Sequence, residues 1–158
     1  MPFPIQTQKL SPKNQVTLPK GARALEAVVP GDGYVCIKPD VMPGRNEGER
    51  SKVIVLMTED EVNARDTAIR ASAELSQAEK LRAILHFNGD IVRVAVDTQR
   101  RVVLPGHLVS WLSLEREIYM FSTNTAVIGW HPDEWRKWKG VDDDDVPNTP
   151  VVTPFLSV

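Results

Sequence analysis

The sequence predicts an α+β protein built from two homologous strand–knot–strand repeats joined by a pair of helices. The first observation behind this is a repeat. "QKLSPKNQVTLP" (Gln8 to Pro19) and "VAVDTQRRVVLP" (Val94 to Pro105) each set an apolar residue before a polar knot (Leu10, Val96) and another after it (Val16, Val102). Both close on Leu-Pro, and the offset is 86 residues throughout. The second is a downstream echo, in which "VIVLMTEDEV" and "TAVIGWHPDEW" each run from a strand straight into a helix start. The third is the stretch between the copies, which carries two helix signatures.

Taken in order, each knot reads as a turn between two strands. Alternating or β-branched residues flank it, and Pro105 ends the second strand by removing a ladder donor. Ser11-Pro12 favours turn initiation, and Asn14 tolerates the left-handed conformation that such turns need. A short helix is expected after each Leu-Pro, in "KGARALEA" and "GHLVSWLSL", and further strands in "PGDGYVCIKP" and "REIYMFSTNTAVIGW". The first copy is 13 residues longer than the second, and 39–51, rich in Pro, Gly and charge, reads as that insertion and as a mobile loop.

Of the two connecting helices, one starts at Thr58, with Glu61 completing a capping box, and fades near Ala73. The other opens at Ser76 with Glu79. Leu81, Ile84 and Leu85 form one apolar stripe on it, expected to face the core. A last helix begins at Pro132, with Asp133 and Glu134 suiting the positive end of its dipole. The organisation is thus repeat 1 over 5–61, a helical connector over 62–90, repeat 2 over 91–138 and an acidic, proline-rich tail over 139–158. That tail reads as extended, with Phe155 and Leu156 as its docking residues.

With 158 residues, the chain suffices for one ordinary core or two small ones sharing an interface. Its 42% hydrophobic and 25% charged residues lie in the globular range. Cys36 is the single cysteine, flanked by Tyr34, Val35 and Ile37, and reads as a small buried hydrophobe. No apolar run is long enough to span a bilayer, so a soluble intracellular protein without membrane contact is expected. Net charge is −2, yet Lys9 to Arg23 carries a local +4 and Arg93 to His107 a local +2, leaving −8 for the remainder. Positive charge concentrates at the knots, the pattern of a localised anion-binding surface.

Asp97 can accept backbone N–H groups in an Asx arrangement and pair with Arg101, while Ser11 offers the weaker hydroxyl version. Arg100 has no obvious internal partner and reads as a DNA contact. Gln15 and Gln99 are candidate adenine readers on a ribbon entering the major groove, where arginine reads guanine. Lys13, Lys20 and Arg23 suit phosphates. His86, His107 and His131 are too dispersed for a metal or triad set and read as packed, capping or exposed. Trp130, Trp135 and Trp138 read as core or subunit contact. No nucleophile elbow, phosphate-cradling loop or carboxylate pair is present, so neither catalysis nor a cofactor is expected.

From about Ile5 to Trp138 the chain resembles the MraZ proteins, which consist of two AbrB/SpoVT-type swapped-hairpin repeats with a double-psi-barrel-like architecture. "VDTQRRVVLP" and "WHPDEW" resemble their second half, and "KLSPKNQVTLPKGAR" resembles an AbrB-type first repeat. The resemblance implies a sequence-specific transcriptional regulator binding double-stranded DNA, nucleoid-associated in the cytoplasm, and a homo-oligomeric ring engaging repeated half-sites. The MraZ hallmark, Asp-x-x-x-Arg, is matched by Asp97 and Arg101; Ser11 and Gln15 stand in its place in repeat 1. A repeat whose hairpin is shared between protomers has no complete core alone, so the monomer is expected to be unstable.

Overall fold

The computed structural model describes residues 5–21, 23–44 and 47–139. Repeat 1 contributes β1 (Ile5–Lys9), β2 (Gln15–Thr17), the single-turn α1 (Arg23–Glu26), β3 (Gly33–Pro43) and β4 (Arg50–Met57). The connector is α2 (Glu59–Arg70) and α3 (Gln77–Gly89). Repeat 2 contributes β5 (Val92–Val96), β6 (Arg101–Val103), α4 (Gly106–Leu112), β7 (Glu117–Ser122), β8 (Ala126–Trp130) and α5 (Pro132–Lys139). The α+β class holds. The tail beyond residue 139, with Phe155 and Leu156, lies outside the described residues.

Sequence order does not give the sheet order. Six antiparallel strands run β1-β7-β8-β4-β3-β5, and β2 pairs with β6 in a separate two-stranded ribbon. Each repeat therefore lends its first strand to the other: β1 lies on β7, and β5 lies on β3. Val16 faces Val102 in the ribbon, and Val55 faces Ile128 in the sheet. These two pairs mark an approximate two-fold axis, with offsets of 86 and 73 residues, so the 13-residue difference reappears in the pairing itself.

One core serves both repeats. Leu10, Val16 and Leu18 pack in the same buried cluster as their counterparts Val96, Val102 and Leu104, together with Leu25, Ile37, Ile118 and Met120. A protein chain sheds water from apolar surface most effectively by closing one core, and here the second repeat completes the first. The expectation that a lone chain lacks a complete core is thereby corrected, because the exchange is intramolecular. Gly129 sits where β8 is flanked by β4 and β7, and a Cβ there would stand 2.8 Å from Ile54 Cγ1 and 2.9 Å from Ile118 Cδ1. A second cluster holds Cys36, Val53, Phe87, Trp130, Trp135 and Trp138, with Trp130 and Trp135 edge-on at 5.4 Å. Burial raises the Cys36 thiol pKa.

Two expectations fail here. Most of 39–51 is not a loop: the β3–β4 ladder continues from Pro39 opposite Ile54 out to Pro43 opposite Arg50. Val41 and Val53 favour extended backbone, and the prolines are tolerated because β3 beyond Ile37 is an edge, paired with β4 alone. The stripe on α3 is not core: Leu81 is 59% and Leu85 64% exposed, and only Phe87 of that helix is buried. Periodicity identifies a shared face, not its cover. The caps are closer to expectation. Ser76 and Glu79 form the full reciprocal box. Thr58 accepts the Glu61 N–H at 3.1 Å, but the Glu61 carboxylate turns to Arg65 instead. α2 and α3 are tied by Asn88, which donates to Asp66 at 3.0 Å.

Candidate nucleic-acid interface

Each knot closes with the same backbone plan. In the first, the Asn14 N–H donates to Ser11 O at 2.9 Å and the Ser11 N–H to Gln15 O at 3.0 Å. In the second, Arg100 donates to Asp97 O at 3.1 Å and Asp97 to Arg101 O at 2.9 Å. Asn14 (φ 62°) and Arg100 (φ 59°) are both left-handed, as a chain reversing this tightly requires. Each left-handed residue then receives an N–H from the other repeat: Leu104 donates to Asn14 O at 2.8 Å, and Leu18 to Arg100 O at 2.9 Å.

What fills each turn differs. The Asp97 carboxylate takes three donors: Oδ1 accepts the Gln99 and Arg101 N–H groups at 2.8 Å each, and Oδ2 accepts Arg101 Nε at 2.8 Å. The Arg101 backbone N–H foremost, then its side chain and the Gln99 N–H, hold the Asp97 pKa below the ordinary carboxylate value. Ser11 Oγ accepts only the Lys13 N–H at 3.2 Å and the Gln15 N–H at 3.0 Å. Among the described residues, Gln15 makes no contact matching the Arg101 ion pair.

Arg100 is the main correction to the sequence reading. It does have internal partners: its NH2 group donates to Leu25 O at 3.1 Å and its NH1 group to Val28 O at 3.4 Å. A guanidinium there caps carbonyls that face away from the chain at and just beyond the end of α1, adding a second donor to Leu25 O, which also accepts the Val28 N–H at 3.2 Å. The side chain is therefore a strut from the second knot to α1. Arg93, at the start of that segment, pairs with Glu59 and lies 5.3 Å from the Tyr34 ring centre.

The remaining residues gather around the ribbon. Val16 and Val102 point into the core, so strand alternation turns Gln15, Thr17, Arg101 and Val103 to the opposite face. Antiparallel pairing sets the knots at the two ends of this face, about 13 Å apart along it for four residues. Lys13 and Gln99 are exposed on the tips. Lys20 and Arg23, also exposed, follow Leu18 and so emerge beside the second knot, not beside the first from which they come in sequence. Exposed His107 follows Leu104 beside the first. His86 is exposed on α3, and His131 Nδ1 accepts the Asp133 N–H at 3.0 Å at the start of α5, so the histidines are scattered.

Thr17 and Val103 were missed by the sequence reading. The signal was available, since each lies one step from a valine destined for the core. Elsewhere, a groove of about 590 Å³ between α1, β3 and α2 is lined by Asp32, Glu59, Asp60 and Glu61, which would repel an anion. Among the described residues no helix is long and apolar enough to cross a membrane. A scan against protein-family models finds no match to this chain, and a search of curated proteins finds none either.

Proposed function

We propose that this chain is a sequence-specific, DNA-binding transcriptional regulator of the MraZ type, not an enzyme. Its two AbrB/SpoVT-type repeats would read double-stranded DNA at the nucleoid through the knots and the ribbon between them. The observation that carries this reading is the ribbon face, where Lys13, Gln15, Lys20, Arg23, Gln99 and Arg101 collect around a two-stranded element of the width a major groove admits. Few cations belong to each chain, so affinity rests on several chains engaging repeated half-sites at high effective concentration. The exposed Leu81 and Leu85 on α3 supply an apolar face for such a homo-oligomer.

A second reading, a structural or protein-binding descendant that keeps the assembly, is favoured by one observation: Arg100 is spent on α1 and no arginine occupies the position of Gln15. A band shift at 50 and 200 mM salt separates the two. Three phosphate-facing cations per chain (Lys13, Lys20, Arg23) predict a loss of roughly 40-fold in affinity per engaged chain across that range. Absence of any shift at the lower salt favours the second reading.

A further inference from the structure

The outward ribbon face is not the same at its two ends, although an approximate two-fold axis passes between them. That axis exchanges Gln15 with Arg101 and Thr17 with Val103. One end accordingly shows Gln15 opposite Val103, and the other shows Arg101 opposite Thr17. Val103 is 48% exposed, on a strand whose other neighbour in register, Val102, is 1% exposed. Arg101 is held at Nε by Asp97, and its terminal nitrogens have no hydrogen-bond partner among the described residues.

We propose that the chain reads a DNA element lacking two-fold symmetry, one half through Arg101 and Thr17 and the other through Gln15 and Val103, with Val103 recognising a thymine methyl. This rests on the DNA-binding reading above. An arginine fork anchored at Nε keeps its two terminal donors aimed together, the geometry that matches guanine O6 and N7. A glutamine amide matches adenine N6 and N7, and an exposed aliphatic side chain matches the C5-methyl of thymine. Gln15 and Val103 are direct cross-strand partners with Cα atoms about 5 Å apart. They can therefore address the two bases of one A·T pair or of adjacent pairs. Gln15 and Arg101 are diagonal neighbours, roughly 7–8 Å apart. At about 3.4 Å per base step, the guanine and A·T positions fall roughly two steps apart in a single short element.

The test is selection from a randomised duplex library by the full chain, repeated with the triple variant Ser11→Asp/Gln15→Arg/Val103→Thr. That variant makes the two ends chemically alike at positions on the turn and outward ribbon face, and its thermal midpoint checks that it folds. The unaltered chain is expected to select a non-palindromic element with guanine on one side and an A·T pair on the other. The variant is expected to select a two-fold-symmetric element with guanine on both. Replacing the thymine by uracil should weaken the unaltered chain about fourfold, the worth of one buried methyl, and leave Val103→Ala unchanged. Selection of a symmetric element by the unaltered chain overturns the inference while DNA binding stands. Equal affinity for thymine and uracil removes Val103 from the readout and overturns that half. Enrichment of no sequence by the unaltered chain overturns the DNA reading itself, and this inference with it.

Discussion

In the first knot a serine hydroxyl takes the place that an aspartate carboxylate holds in the second, and an asparagine takes the place of an arginine. The backbone hardly registers the change: both turns close with the same hydrogen bonds and the same left-handed residue. The second knot, however, is anchored three times over, by the carboxylate, by the Arg101 ion pair and by the Arg100 strut. The first depends on one hydroxyl and on the fit of Pro12 and Asn14. Turn shape is therefore set by backbone pairing with the other repeat, and side chains are left to decide rigidity and chemistry.

The largest expected effects test what the knots share. Leu18 and Leu104 are 3% and 1% exposed in one cluster. Leu18→Ala and Leu104→Ala should each cost about 2–5 kcal/mol, and by similar amounts, as read from urea unfolding midpoints. A loss confined to one of them would break the equivalence of the two seats.

Next in size is the strut. Arg100→Ala removes charged hydrogen bonds to two carbonyls and should cost about 1.5–3 kcal/mol. Arg100→Gly should recover about 1–2 kcal/mol of that, since a left-handed residue with a Cβ is disfavoured. Asn14→Gly should be close to neutral, because asparagine visits this conformation readily and makes no comparable side-chain contact. The same unfolding measurement ranks all three, and equal losses at Arg100 and Asn14 would remove the asymmetry.

The smallest effect is on acidification. The folded-state pKa of Asp97 is depressed, so its contribution is complete above the unfolded value of about 4 and is lost as pH falls through the lower folded value. The Gln99 and Arg101 amides should then lose hydrogen-exchange protection at acid pH, while the Lys13 and Gln15 amides, held by a hydroxyl, should not. Exposed ion pairs contribute little to stability, so the global midpoint should move only slightly. Loss of protection in both knots together would point to general acid unfolding.

How far this was legible in the sequence depends on how local each determinant is. The Asp97 and Ser11 turns, the left-handed Asn14 and the Ser76 cap lie within four residues of their partners and could be read directly. Arg100 could not, because its acceptors at Leu25 and Val28 lie 75 and 72 residues away. Nothing near Lys20 and Arg23 announced that β2 would carry them to the far knot. That follows from the antiparallel register of two strands that only the fold brings together. The exposed stripe of Leu81 and Leu85 shows the same limit from the other side: helical spacing is local, and what packs on it is not.

The exchange of first strands also sets an order of events during synthesis. Ile5 pairs with Phe121, which the ribosome adds 116 residues later. At about 5–20 residues per second, β1 waits roughly 6–23 s for its partner strand. For the earlier part of that interval β3 likewise lacks β5, since Val94 is added 59 residues after its partner Val35, so the nascent first repeat carries unpaired strand edges, the feature that invites pairing with other chains. Completion of the sheet awaits the second repeat, and with so much of the pairing distant in sequence, folding should be slow for a chain of this size.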